Sequence, residues 1–234
     1  LLILSCGGGG GDTNTPAGEP REVIVDAAGN GDYRGIQQAV REAVPGTIIT
    51  VRAGTYNENI VFRKSGTAEQ PITLRNYPDE MPVIIPGTGL AQRVELNAEY
   101  IIVEGFEIRG GYDGFKIYKS NNIVRNNYIH NNKFTGILVA ATTGEISNVV
   151  IENNLVESNG FEPGTGAPYP GISLKNVHGI YISDFECVGT SDITIRLNTI
   201  LGHGGRAIQW NGENCGTKMR GTVVEGNLTR RLRR

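Results

Sequence analysis

Residues 123–139, IVRNNYIHNNKFTGILV, set two asparagine pairs among short apolar segments and then turn apolar. The pattern apolar-x-x-Asn-x-apolar recurs as VRNNYI (Val124, Asn127, Ile129), IENNLV (Ile151, Asn154, Val156), IRLNTI (Ile195, Asn198, Ile200) and VEGNLT (Val224, Asn227, Thr229). An earlier copy, VEGFEI, starts at Val103 and carries Phe106 at the asparagine position. The anchors Val103, Val124, Ile151, Ile195 and Val224 stand 21, 27, 44 and 29 residues apart. A regular core with irregular spacing describes a coil whose turns absorb insertions. A second short segment of period two follows most anchors: GFKIY begins 11 residues after Val103, GILVA 12 after Val124 and AIQWN 12 after Ile195. After Ile151 the matching segment is read as GISLK, 20 residues on, displaced by the insert FEPGTGAPYP. Asn127 and its counterparts are expected to form a scaffold ladder, since asparagine tolerates the left-handed turn and its amide can bond the amide stacked above it. Asn131 and Asn132 are read as turn residues closing the coil.

The chain of 234 residues suits one large domain, and its 33 glycines, spread without a three-residue period, call for many turns. A formal charge of -2 with dispersed charged residues argues against a nucleic-acid partner. The unit from Val23 to Ile60 reads as strand, helix, strand. Asp32 is the expected helix N-cap, Ile36, Ala39, Val40 and Ala43 share one face, and Pro45-Gly46 stops the helix. One amphipathic helix beside many short strands suits a cover for the open end of a stacked-strand solenoid.

The repeats, with AVPGTIITVRAGTY and SGTAEQPITLRN near the N-terminus, resemble the right-handed parallel β-helix proteins of the pectate-lyase-like superfamily. The N-terminal coil is similar to that of polysaccharide lyases of the chondroitinase B, alginate lyase and pectate lyase type. The resemblance runs from about Val23 to the end and implies an all-β, three-sheet parallel solenoid over residues 21–234 with an N-terminal α-helical cap. It also implies a protein that binds acidic polysaccharide across one sheet, either as a lyase acting on a uronic-acid polymer by β-elimination or as a noncatalytic binding or structural β-helix.

In this register Glu104, Arg125, Glu152, Arg196 and Glu225 follow the anchors as an alternating column of acids and bases, expected to be structural. On the second segments Phe115, Ile117, Ile137, Val139, Ile172, Leu174, Ile208 and Trp210 are expected to point inward. Lys116, Tyr118, Ser173, Lys175, Gln209 and Asn211 then line one outer face, with Asp113 and Arg206 at its margin. Phe161 and Tyr169, on the inserted loop, are expected to stand beside it. β-Elimination needs a base for the proton beside the carboxylate and a cation that holds that carboxylate, and Lys116, Lys175 and Arg206 suit those roles by type. Calcium is implied by the resemblance alone; Asp113, Glu162 and Glu213 are scattered. His130 and His203 are read as exposed turn residues.

Residues 1–20 begin LLILSC and continue through a glycine run, the composition of a signal remnant followed by a flexible tether. Leu4-Ser5-Cys6 is similar to a bacterial lipoprotein cleavage box, with Cys6 lipidated; an ordinary signal peptide is the alternative. The expected location is therefore outside the cytoplasm, secreted or held at a surface by that anchor, and the expected state is a monomer. Cys187 and Cys215 lie 8 before Ile195 and 9 before Val224, so a disulfide between adjacent coils is expected, with two separate thiols as the alternative. The chain stops at VVEGNLTRRLRR, partway through a coil, which reads as a fragment of a longer protein.

Overall fold

The computed structural model describes residues 21–85, 94–184, 186–212, 215 and 219–230. The chain winds through three parallel sheets in turn. Among the described residues the first sheet is built from strands Glu22–Val25, Ile48–Val51, Ile72–Asn76, Ile101–Glu104, Ile123–Arg125, Ile146–Glu152, Thr190–Arg196, Met219–Arg220 and Val223–Glu225. The second runs from Thr55–Asn57 to Leu228–Arg230, and the third from Ile60–Phe62 through Phe115–Ile117, Ile137–Ala140 and Ile180–Ser183 to Ile208–Asn211. The coils stack their inward residues into one interior: Val103, Val124, Ile151 and Ile195 pair in register and are fully buried. β-Branched residues suit this interior because a stiff χ1 packs well against its copy one strand away. Coils also precede Val103, since 22–25, 48–51 and 72–76 lie in the same sheet. Their turns carry Gly, Asp and Tyr instead of paired asparagines, so the asparagine signature does not mark them.

The one α-helix among the described residues, Ile36–Glu42, covers the N-terminal end, with Ile36, Ala39 and Val40 buried. Its start departs from expectation. The N-cap is Gly35, and Asp32 instead accepts the Ile24 N–H at 2.7 Å. The free N–H groups of Ile36 and Gln37 donate to the carboxylate of Glu58 at 2.9 and 2.8 Å, which places a negative charge at the positive end of the helix.

Asn127, Asn154, Asn198 and Asn227 form the ladder. In each step the side-chain oxygen of one residue accepts both the backbone N–H and the side-chain N–H of its neighbour, at 2.9 to 3.2 Å. Phe106 stands at the head, its N–H donated to Asn127 Oδ1. The residue before each rung, Gly105, Asn126, Asn153, Leu197 or Gly226, has φ between 53° and 85°. Only glycine and asparagine enter this region cheaply. Each asparagine pair is therefore divided: the first residue makes the turn and the second turns inward to satisfy it.

Asn132 is a rung and not a surface turn residue. It is fully buried and bonds Asn159 as Asn127 bonds Asn154. One coil further the rung is His203, which is also buried, contrary to its reading as an exposed turn residue; its Nε2 lies 3.2 Å from the Val156 carbonyl. The backbone spacing that buries an asparagine buries any residue placed there.

Burial, with the neighbouring His178, lowers the His203 pKa from its ordinary 6.5 to about 4, against a smaller opposing effect of the Val156 bond. Because the fold disfavours the imidazolium, the unfolded chain binds more protons between these values. Stability is therefore fully present above about pH 6.5 and is lost towards pH 4, by about 3 kcal/mol. His203→Asn restores the ladder residue. It is expected to flatten the fall in thermal midpoint between about pH 7.5 and 4.5, leaving a residual slope of the same sign from His178, whose pKa is lowered by burial and by Arg206. A slope equal to wild type would mean that another group controls acid sensitivity.

The charged column closes as Arg125 with Glu104 and Glu152, and Arg196 with Glu152 at 2.6 Å. It begins earlier than the repeats show, with Arg75 bonded to Glu22 and Thr50. On the second sheet the outer face is tied together by Arg109 with Glu107, His130 Nε2 with Glu107 at 3.2 Å, and Tyr128 with Glu157; His130 is thus half-buried, not exposed. Cys187 and Cys215 are joined by a disulfide across adjacent coils. Cys6, Glu213 and the segment 1–20 lie outside the described residues.

Candidate functional site

The outer face of the third sheet carries the chemistry. In register across it stand Val61, Glu95, Lys116, Leu138, Tyr181 and Gln209. Lys116 extends over the ring of Tyr118, its Nζ 5.1 Å from the centroid. At the other end Asn211 donates to the Tyr181 hydroxyl at 3.0 Å, and Arg206 to Gln209 Oε1 at 2.6 Å. Three strand steps separate Lys116 from Gln209, about 14 Å at the usual spacing.

The strand of the insert-bearing coil is not GISLK but Ile180–Ser183. Ile172 and Leu174 are consequently not core residues of this sheet, Ser173 is not on its face, and Lys175 sits in a short 3-10 helix, Leu174–Asn176. Both segments alternate apolar and polar residues, so period two cannot separate them. The preceding glycine can. A Cβ on Gly114, Gly136 or Gly179 would stand 2.3 to 2.5 Å from Ile129, Val156 or Ile200, whereas one on Gly171 would meet nothing. The inserted loop is pinned to the corner between the second and third sheets: Phe161 O accepts the Asn131 side chain and Tyr169 donates its hydroxyl to Asn131 O at 3.0 Å. Phe161 and Tyr169 therefore brace the corner.

This loop brings Lys175 back over the sheet by another route. Lys175, Asn176 and Phe134 form one wall of a cleft of 410 Å³, and Tyr181, Arg206, Gln209 and Asn211 the other, with His178 also lining it. Of the expected residues, Lys175, Arg206, Gln209 and Asn211 come together here, while Lys116 and Tyr118 lie further along the same face. His178 is buried, and its Nδ1 accepts the Arg206 backbone N–H at 3.1 Å. Its proton is thus on Nε2. Burial, and secondarily the Arg206 charge, lower its pKa and keep the ring neutral. Asp113 is not at the margin of the site: it is buried and its Oδ1 accepts the Thr135 N–H.

Among the described residues no three His, Cys, Asp or Glu side chains gather within reach of one cation. The cleft offers a lysine, an arginine, three amides and a tyrosine hydroxyl to a ligand with carboxylates and hydroxyls. His178, Phe134, Asn176 and Tyr181 escape the sequence reading because the displaced strand moves the site by one segment. The motif GIYIS after a tightly packed glycine is the signal that restores them.

A model of the Pel9A-like right-handed β-helix region matches residues 26–222. The chain is 36% identical over 146 residues to pectate lyase PEL9 of Emericella nidulans, covering 54% of this chain and 35% of that protein. It is 28% identical over 155 residues to pectate lyase L of Paenibacillus polymyxa, covering 60% of this chain and 34% of that protein. It thus spans about a third of each. A solved alginate lyase from Paenibacillus sp. str. FPU-7 shares the fold, with TM-score 0.58 and 19% identity over 83% of this chain and 72% of that one.

Proposed function

We propose, because the chain belongs to the Pel9A-like right-handed β-helix family, that it binds a uronic-acid polysaccharide on the third sheet and cleaves it by β-elimination. The observation that carries this reading is the gathering of Lys175 and Arg206 in one cleft with Tyr181, Gln209 and Asn211. The named relatives include pectate and alginate lyases, enzymes of acidic polymers.

In the proposed reaction Arg206 holds the uronate carboxylate through its planar fork, which stabilises the charge that grows there as the adjacent proton leaves. Lys175 takes the C5 proton as general base. The C5–H electron pair becomes the C4–C5 double bond, the C4–O bond breaks, and the departing oxygen takes a proton from solvent, to which Lys175 returns its own. Lys116 lies on the same face about 14 Å from Gln209, where it would meet a carboxylate of a sugar further along the same chain. Gln209 and Asn211 are placed to bond hydroxyls, and neutral His178 supplies a fixed Nε2–H donor.

Formation of unsaturated ends is read by ultraviolet absorbance across pectate, alginate and other uronic polymers. Wild type is expected to release them from at least one polymer. Lys175→Ala is expected to lower the rate at least a hundredfold, and Lys116→Ala mainly to raise KM. Binding without new absorbance would identify a noncatalytic module using the same cleft. No binding to any acidic polymer would remove both readings. Export, with or without a lipid on Cys6, is the location this substrate requires.

A further inference from the structure

The third sheet has a second concavity, at its capped end. Its first strand, Ile60–Phe62, has no strand partner on one side; the amide of Gln37 on the helix takes that place, accepting the Val61 N–H at 2.6 Å and donating to the Val61 carbonyl at 3.3 Å. This side-chain rung closes the sheet edge and holds the helix against it. Between the two is a pocket of 510 Å³ with an apolar base of Val40 and Val61 and three cations, Arg41, Arg63 and Lys64, and without an acid in its lining.

These cations differ from six arginines elsewhere. Arg52, Arg75, Arg109, Arg125, Arg196 and Arg220 are ion-paired. Among the described residues Arg41, Arg63 and Lys64 join no ion pair, and all three are exposed. Three unpaired positive charges around one concavity add their fields, where the alternating column on the first sheet cancels its own. Val61 belongs to the same outward register as Lys116, Tyr181 and Gln209, so the pocket opens on the face that carries the cleft. Five strand steps, about 24 Å, separate the two, with Glu95 and Lys116 between them.

We propose that this pocket is a second binding site for carboxylated sugar, holding the far end of a polyuronate chain whose other end occupies the Lys175–Arg206 cleft. The inference rests on the uronate reading of that cleft and extends it to chain length: the protein prefers long chains because only these reach both sites. The apolar base packs against a sugar ring while the cations take carboxylates, and Glu95 sets a gap in which a carboxylate is disfavoured.

The test measures calorimetric affinity for a trimer and a decamer of galacturonate, and for an uncharged decamer. It compares Lys175→Ala, which holds ligand without turnover, with the same protein carrying Arg41→Gln, Arg63→Gln and Lys64→Gln. Neutralising these three exposed charges together is expected to weaken decamer binding roughly tenfold and make its salt dependence shallower. Trimer affinity is expected to stay unchanged. Equal decamer affinities in the two proteins would overturn the pocket while leaving the cleft reading intact, and so would an equal loss for the trimer or the uncharged decamer. No binding of either galacturonate, nor of the matching alginate oligomers, to either protein would overturn the cleft reading and this one together.

Discussion

Asn154→Ala is expected to destabilise the protein by about 4 kcal/mol, more than any substitution of an exposed asparagine. Asn154, like Asn198, is a rung with an asparagine on each side. Its Oδ1 accepts from Asn127 N and Nδ2 at 3.1 and 3.2 Å, and its Nδ2 donates to Val124 O and Asn198 Oδ1 at 2.9 and 3.0 Å. Alanine removes all four bonds and leaves the buried Asn127 N–H without an acceptor. A stranded buried donor costs about 1–3 kcal/mol, and neighbours that polarise one another lose more than a pairwise sum. The comparison is Asn148→Gly. Asn148 also has a positive φ, 54°, but its amide lies on the surface against Asn121; glycine accepts that backbone, and the change is expected to stay within about 0.5 kcal/mol. Urea midpoints for the two variants decide the matter. Equal shifts would mean that the buried amide contributes no more than a surface one.

That contrast also shows what is legible in the sequence. The rungs Asn127, Asn154, Asn198 and Asn227 are readable because one amide must recur at one offset from an apolar anchor, whatever the length of the turns between. The charged column is readable for the same reason, although its Glu22–Thr50–Arg75 start is not, since threonine breaks the alternation. His203 misleads because a histidine among glycines has the composition of a surface turn, while its burial follows only from being five residues past Asn198, as Asn132 is past Asn127 and Asn159 past Asn154. The cleft is half legible. Arg206, Gln209 and Asn211 follow from a coil without insertion, whereas the insert offers two segments of equal periodicity, and only packing of Gly179 against Ile200 selects between them. Lys175 reaches the site from the loop. Periodicity has no means of reporting a residue that returns to a sheet from outside it.

Arg206→Ala is expected to reduce kcat/KM on the polyuronate by about 100- to 1000-fold, the usual loss when a group holding developing charge is removed. The fold should be indifferent to the change, because the side chain is exposed and its hydrogen bond to a protein group is the one to Gln209. The backbone N–H that bonds His178 remains. Arg206→Lys keeps the charge but not the two-pronged geometry, and is expected to recover part of the rate. A second readout separates electrostatics from general damage. Arg206 is one of the causes that lower the His178 pKa, after burial. Removing the guanidinium should therefore raise the imidazole titration midpoint followed by NMR, while Arg206→Lys should leave it nearer its wild-type position. Wild-type kcat/KM together with a raised His178 midpoint would show Arg206 to be a neighbour of the histidine and no part of substrate binding. Lost activity with an unmoved thermal midpoint and a raised His178 midpoint would mark its guanidinium as the carboxylate-holding charge of the cleft.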